Sequence, residues 1–172
     1  SSTIPEIWTN RESDFIVLLD NDFFGGPQWK DRIEELKAYR LRVNFSQGLN
    51  IRIITDEQAE ALASVRFRSI SGKTPMVHFA WDRIFDEKRI DAGIKRVLAA
   101  GVKPREMTFY ILVGFDSTPE EDMYRIMKLR GLGINPFVMP YDSADPYQRR
   151  LARWVNHKAI FKTVSWGEYG HA

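Results

Sequence analysis

The sequence contains no cysteine, and that absence excludes more than any other single count. Disulfides, thiolate zinc sites and a cysteine nucleophile are ruled out within this chain. Long apolar runs are missing as well, since none approaches the roughly 20 residues a membrane-spanning helix needs. The opening stretch SSTIPEIWTNRESD lacks the basic and apolar regions of a signal peptide, so the expectation is a cytoplasmic protein without membrane contact. Charge of one sign is scarce too. The 25 basic residues oppose 23 acidic ones for a formal net charge of +2, so no whole-molecule field selects nucleic acid or an anionic surface as partner. What is plentiful is apolar and aromatic side chain, 44% and 13% of 172 residues, enough for a sizeable core in one domain over residues 1–172. Disorder is excluded on the same ground.

Periodicity places strand-length apolar runs near residues 15 to 19, 42 to 47, 76 to 81, 107 to 113 and 136 to 139. Helical patterns separate them. Pro27 to Tyr39 aligns Trp29, Ile33 and Leu36 on one face, with Pro27 suited to a first turn where its missing N–H costs nothing. Thr55 and Gln58 have capping-box spacing, and DEKRIDAGIKRVLAAG closes on Gly101 as a helix with a glycine stop. Ser117 or Thr118 opens a further helix in which Pro119 and two glutamates suit the first turn and Gly131 or Gly133 the end.

A repeated strand-then-helix unit implies parallel strands joined by crossovers, with helices on at least one face of the sheet. Central strands of a doubly wound sheet are covered on both faces and read as continuous apolar runs, whereas a barrel strand is covered by helices only outside. In RVNFSQ, Arg42, Asn44 and Ser46 alternate with Val43 and Phe45; in MVHFAWD, His78, Ala80 and Asp82 alternate with Val77, Phe79 and Trp81. FIVLL is apolar throughout and decides nothing. The fold class expected is therefore α/β, an incomplete parallel (βα) barrel of about five βα units, TIM-barrel-like, with a partly polar concave side and a C-terminal helical cap. A complete barrel of eight units needs about 250 residues.

Ligands of parallel α/β folds bind outside the carboxyl ends of the strands. Each expected strand here ends in polar groups, in the order DND, QGLNIR, Asp82-Arg83, GFDST and PYD. Asp20, Asn21 and Asp22 could accept hydrogen bonds from an amine or hold a cation, or simply turn the chain before FFGGP. Gln47 and Arg52 flank a Gly48 turn and could bind a carboxylate or ribose, or end a strand in solvent. Asp82 could take two ribose hydroxyls, or cap the next segment beside Arg83. Gly114, ahead of Phe115 and Asp116, permits close backbone approach or is an ordinary loop glycine. His78 reads as a hydrogen-bonded interior histidine, because no second histidine stands at metal-ligand spacing.

The segments LLDNDFFGGPQW, VNFSQGLNIRIIT, VHFAWD, FYILVGFDSTPEED, PFVMPYD and LARWVNHKAIFK, in that order, resemble the later portion of bacterial and phage-encoded radical SAM proteins. The resemblance spans nearly the whole chain, although no single segment is diagnostic. It implies a partial six-unit barrel whose first strand precedes a C-x-x-x-C-x-x-C loop holding a 4Fe–4S cluster, with S-adenosylmethionine as cofactor. On that resemblance Asp20, Asn21 and Asp22 would meet the amino group of the cofactor, and Gln47 and Asp82 its ribose. Gly114 and Asp116, in the turn from Leu112 to Ser117, would support the adenine, with Met139, Pro140 and Tyr141 adding contacts to it.

Here the missing cysteines matter again, since a cluster of this kind is held by thiolates the chain does not supply. The resemblance thus implies either a fragment whose cluster loop lies before Ser1 or a degenerate copy that kept the scaffold. Alone, the chain is expected to be inactive in reductive cleavage of the sulfonium, and its substrate is not specified. A barrel short of its first unit would expose a strand edge, so self-association through that edge is expected. Two other readings stay open: a non-catalytic nucleotide- or adenosyl-binding module, and a magnesium-dependent hydrolase drawing on Asp20, Asp22, Asp82, Asp116 and Asp142. In the C-terminal segment, Arg149, Arg150, Arg153, His157 and Lys158 gather around Trp154 and Phe161. Such a helix could bind nucleic acid; the reading preferred is a packed cap with Leu151, Trp154 and Val155 inside.

Overall fold

A computed structural model of the protein describes residues 2–9 and 11–170. Six strands are present among them: β1 (Phe15–Leu18), β2 (Arg42–Phe45), β3 (Arg66–Phe67), β4 (Val77–Ala80), β5 (Met107–Val113) and β6 (Asn135–Pro140). Helices α2 (Trp29–Ala38), α3 (Asp56–Ser64), α4 (Glu87–Ala99) and α5 (Pro119–Gly131) connect them, after a short α1 (Ile4–Ile7). Three more close the chain: α6 (Pro146–Asn156), α7 (Lys158–Thr163) and α8 (Trp166–Gly170). The chain is α/β, and its strands pair only in parallel, as two three-stranded sheets ordered β1-β2-β3 and β4-β5-β6. All five expected strands occur, within a residue or two at their ends. The sixth, β3, has only two residues and hence too short an alternation to be read from sequence.

The helix starts follow from local chemistry. Thr55 Oγ1 accepts from Gln58 N (3.2 Å) while Gln58 Oε1 accepts from Thr55 N (3.0 Å), and Thr118 with Glu121 repeats the arrangement ahead of Pro119. Each box satisfies two amide donors that a helix N-terminus would otherwise leave open. Gly101 follows α4 at φ +107°, a conformation open to glycine and costly for other residues. Pro27, in contrast, lies outside α2: a 3-10 turn at Phe23–Gly25 takes up the preceding chain, and Trp29 N donates to Gly26 O (3.3 Å). The helix therefore begins two residues later than its proline suggests.

One hydrophobic core runs through both sheets. Met107, Phe109, Ile111 and Val113 are fully buried on one face of β5, where α5 packs, while Thr108, Tyr110 and Leu112 on the other face are half-buried. Fully burying such a side chain contributes about 1.5–3 kcal/mol, so this period-two pattern strongly fixes strand register. The open face carries a ring sequence across three strands. His78 stacks on Tyr110 (5.2 Å between centroids, 7° between planes), and Phe137 meets Tyr110 edge-on at 5.7 Å. The partly polar face expected from sequence is thus largely aromatic. Asn44 departs from it: only 2% exposed, it donates from Nδ2 to Arg68 O (2.8 Å) and holds β2 to the chain after β3.

The two sheets meet beyond the end of β2. Leu49 N donates to His78 O (2.9 Å), and the preceding Gly48, at φ +78°, lies so close to β4 that a Cβ there would sit 3.0 Å from that same oxygen. Gly93 of α4 does the equivalent job from the helix side, since a Cβ on it would be 2.2 Å from Ile51 O. The loop after β2 is therefore clamped between a strand and a helix. Among the described residues no helix is long and apolar enough to cross a membrane.

Candidate functional site

That clamped loop forms one wall of a polar cleft of about 250 Å3 at the carboxyl ends of β1, β2 and β4. Asn21, Gln47, Arg52 and Asp82 line it, which brings together four residues read from sequence as ligand-binding. Asn50 and Asp86 join them, and neither was singled out from sequence. Asn50 Oδ1 accepts from both the backbone N and Nε of Arg52 (3.3 Å each), and Arg52 Nη1 lies 3.2 Å from Asp86 Oδ2. The guanidinium of this half-exposed, cleft-lining side chain is thus held by a buried carboxylate and a loop amide.

Asp82 is exposed at the cleft, and its Oδ1 accepts from Leu112 N on β5 (3.3 Å). That bond aims the side chain and leaves Oδ2 as an acceptor. Beneath it lies a feature the sequence reading missed. Arg125 of α5 is fully buried and donates to Trp81 O (2.6 Å), Leu112 O (2.9 Å) and Asp122 Oδ1 (2.7 Å), while Ser117 Oγ donates to Asp122 Oδ1 (2.6 Å). One guanidinium therefore fixes the backbone on both sides of the Asp82–Leu112 bond. Burial lowers the pKa of Arg125, and the Asp122 charge opposes that shift. The signal was present in the sequence: Asp122, Arg125, Ile126 and Leu129 share one helical face, so two charges stand on the stripe that enters the core.

The other sequence-derived residues lie apart from this cleft. Asp20 and Asp22 border a separate groove of about 570 Å3 beside β1, with Val17, Leu19 and Trp29. Asp22 is occupied by the turn itself: its Oδ1 accepts from Gly25 N (3.1 Å), and a Cβ on Gly25 would be 2.1 Å from Oδ2. The DND stretch consequently splits, with Asn21 toward the cleft and its two neighbours away, because successive residues at a strand end point to opposite sides.

Gly114 and Asp116, both at positive φ, shape the turn after β5, where a Cβ on Gly114 would fall 2.1 Å from Gln148 Nε2. Gln148 in turn accepts from Asp142 N at 2.9 Å. Gly114 is thus accounted for by the docking of α6. Met139 and Pro140 end β6 and Tyr141 follows it, 4.8 Å from Phe115 between ring centroids with both rings exposed.

His78 differs from the expectation of a hydrogen-bonded interior residue. It is half-buried on the open face, ring against ring with Tyr110, and burial lowers its pKa. Burial likewise raises the pKa of Tyr110. Both shifts favour the neutral form of the ring. Among the described residues no group of three or more His, Asp or Glu side chains is close enough to share a metal ion. Asp142, like Asp22 and Asp82, instead accepts from a backbone amide, that of Ala144 (2.9 Å). Comparison with protein-family models, curated proteins and solved structures finds no match to this chain.

Proposed function

We propose that the chain is the adenosyl- and substrate-binding portion of a radical SAM-type enzyme, its two sheets forming two arcs of an incomplete parallel (βα) barrel. The observation that carries this reading is the convergence of Asn21, Gln47, Arg52 and Asp82, from three different strand ends, on one polar cleft. Carboxyl-end clefts of parallel strands are where such folds place ligands.

S-adenosylmethionine fits this donor set. Asp82, oriented by Leu112 N, would accept from ribose hydroxyls; Gln47 would offer both a donor and an acceptor beside them; Asn21 Oδ1 would accept from the amino group. Arg52, steadied by Asp86, would meet the carboxylate. Phe115 and Tyr141 would give the adenine an aromatic ledge. The His78, Tyr110 and Phe137 row would floor the substrate space and shed water from it. The cofactor supplies the sulfonium whose reductive cleavage starts the chemistry of the family. A 4Fe–4S cluster does not fit the residues of this chain, which has no thiolate to hold one, so the chain by itself is inactive in that cleavage.

The same lack of thiolates favours a second reading, a module that binds an adenosyl compound without transforming it. The magnesium-hydrolase reading has less support, because among the described residues its aspartates form no group of three that could hold a metal ion.

Titration calorimetry of the chain with S-adenosylmethionine, S-adenosylhomocysteine and adenosine tests both readings. Binding of S-adenosylmethionine with a dissociation constant of about 0.1–1 mM is expected. Replacing a charged acceptor costs about 1.5–3 kcal/mol, so Asp82→Ala should weaken it tenfold or more. Adenosine binding as tightly as S-adenosylmethionine would leave only the adenosyl module. No heat with any of the three at about 10 mM would sink both.

A further inference from the structure

A third cavity, of about 190 Å3, lies at the opposite end of β5 and β6, where those strands begin. Its apolar surface includes Ile134, Phe137 and Phe161. Around it stand Arg130 from the last turn of α5 and Lys158 and Lys162 from α7. Among the described residues no carboxylate lines it. Among the described residues, no hydrogen bond or ion pair engages the side chains of these three cations, and the one contact recorded is Arg130 over the Phe161 ring at 4.7 Å.

The polar amides at the cavity are already committed. Asn135 Nδ2 donates to Arg105 O and Met107 O (3.0 Å each), while Asn156 pairs with Val138 through both its amide atoms (2.7 and 3.0 Å). The cations are left as the groups free to choose a ligand, and they choose an anion. The surrounding sequence amplifies this: residues 146–163 hold five Lys or Arg and no Asp or Glu, more than the whole chain's net charge of +2. The rest of the molecule is therefore net negative; of these five, Lys158 and Lys162 stand at this cavity, while Arg149, Arg150 and Arg153 line a separate pocket with Tyr169. Size sets the second criterion. An apolar cavity of about 150 Å3 admits benzene, so this one has room for a substituted aromatic ring.

We propose that the cavity between β6 and α7 is a binding site for a small organic anion with an aromatic body, its ring against Phe137 and Phe161 and its carboxylate or phosphate among Arg130, Lys158 and Lys162. The guanidinium already stacked on Phe161 is preorganised for this, since a planar fork offers two parallel donors to an oxyanion. The site opens at the other end of the strands from the cleft lined by Asn21, Gln47, Arg52 and Asp82, and shares with the substrate space proposed above only the Phe137 ring.

Amide chemical-shift titration of the full chain, with phenyl phosphate, inorganic phosphate and benzyl alcohol as separate probes, tests the site. Phenyl phosphate should produce saturable shifts at Gly133, Phe137 and Phe161. Ring burial should make it bind about tenfold more tightly than inorganic phosphate. Lys158 and Lys162 are exposed, so Lys158→Gln and Lys162→Gln should keep the wild-type circular dichroism while each weakens phenyl phosphate about threefold. Equal affinity for phenyl phosphate and inorganic phosphate would show a solvated basic patch and overturn the proposal. So would the lack of any saturable shift up to about 10 mM. An oligothymidylate that displaces phenyl phosphate at lower concentration, with a steep salt dependence, would also overturn it in favour of a polyanion surface.

Discussion

The two sheets contain equal numbers of strands and are built very differently. In the β4-β5-β6 sheet the ladder between β5 and β6 runs for six residue pairs, and the far edge of β6 is covered, because Asn156 of α6 bonds both N and O of Val138. The ends of β4 and β5 are tied down from below by Arg125. In the β1-β2-β3 sheet the strands have four, four and two residues, and Asn44 Oδ1 is buried without a partner. Its edge strand β1 carries exposed Val17, and exposed Leu19 follows directly, beside a wide groove. One half is a frame; the other is an edge held against it through Leu49, His78 and Gly93. The cleft sits at their junction, so its geometry inherits rigidity from one side and freedom from the other.

The sharpest way to break this contrast is to remove Arg125. Arg125→Met would leave Asp122 buried without its counter-charge and two carbonyls unpaired, at a cost of about 3–5 kcal/mol in urea denaturation. Adding Asp122→Ala should recover part of that loss. If the single change costs no more than an average surface mutation, the frame does not depend on this pair. Asn156→Ala comes next, since it uncovers the edge of β6 and should cost about 1–3 kcal/mol. Hydrogen exchange at Val138 should accelerate more than at Val43, which lies on the other sheet.

On the weaker side, β1 has no strand beyond it among the described residues, and an open edge with exposed apolar side chains is the kind that would pair with another copy. Sedimentation velocity should show concentration-dependent association that Val17→Lys with Leu19→Lys abolishes while the far-ultraviolet spectrum is unchanged. Association that persists in this variant would move the contact elsewhere.

The smallest expected effect is a slope. His78 has its pKa lowered by burial, so between its ordinary value of about 6.5 and that lowered value the unfolded chain binds a proton the folded one does not. Stability is thus fully present above the ordinary value and falls as pH drops through this window. His78→Phe should flatten that part of the stability profile. Glu87, with its pKa lowered by hydrogen bonds from Lys128 and Tyr124, acts in the same sense further into acid, and Glu87→Gln should remove only that lower part.

Much of this was legible in the residues themselves. Period-two alternation in RVNFSQ and MVHFAWD, the Thr–x–x–Gln and Thr–x–x–Glu boxes, and the polar residues after each strand are local patterns, each set by neighbours within four positions. They determined the strands, the helix starts and the end of the sheet where a ligand would lie. Only the tertiary structure decided that Asn21 reaches the cleft while Asp20 and Asp22 do not. It alone placed Arg125 beneath Asp82, gave β3 its place beside β2, and joined Asn156 to an edge 18 residues earlier. The reason is range. An alternation is repeated at every second residue and survives any error in one of them, whereas convergence rests on single contacts between distant segments. Such contacts are fixed by how helices and turns pack, and no local pattern in the chain spells that out.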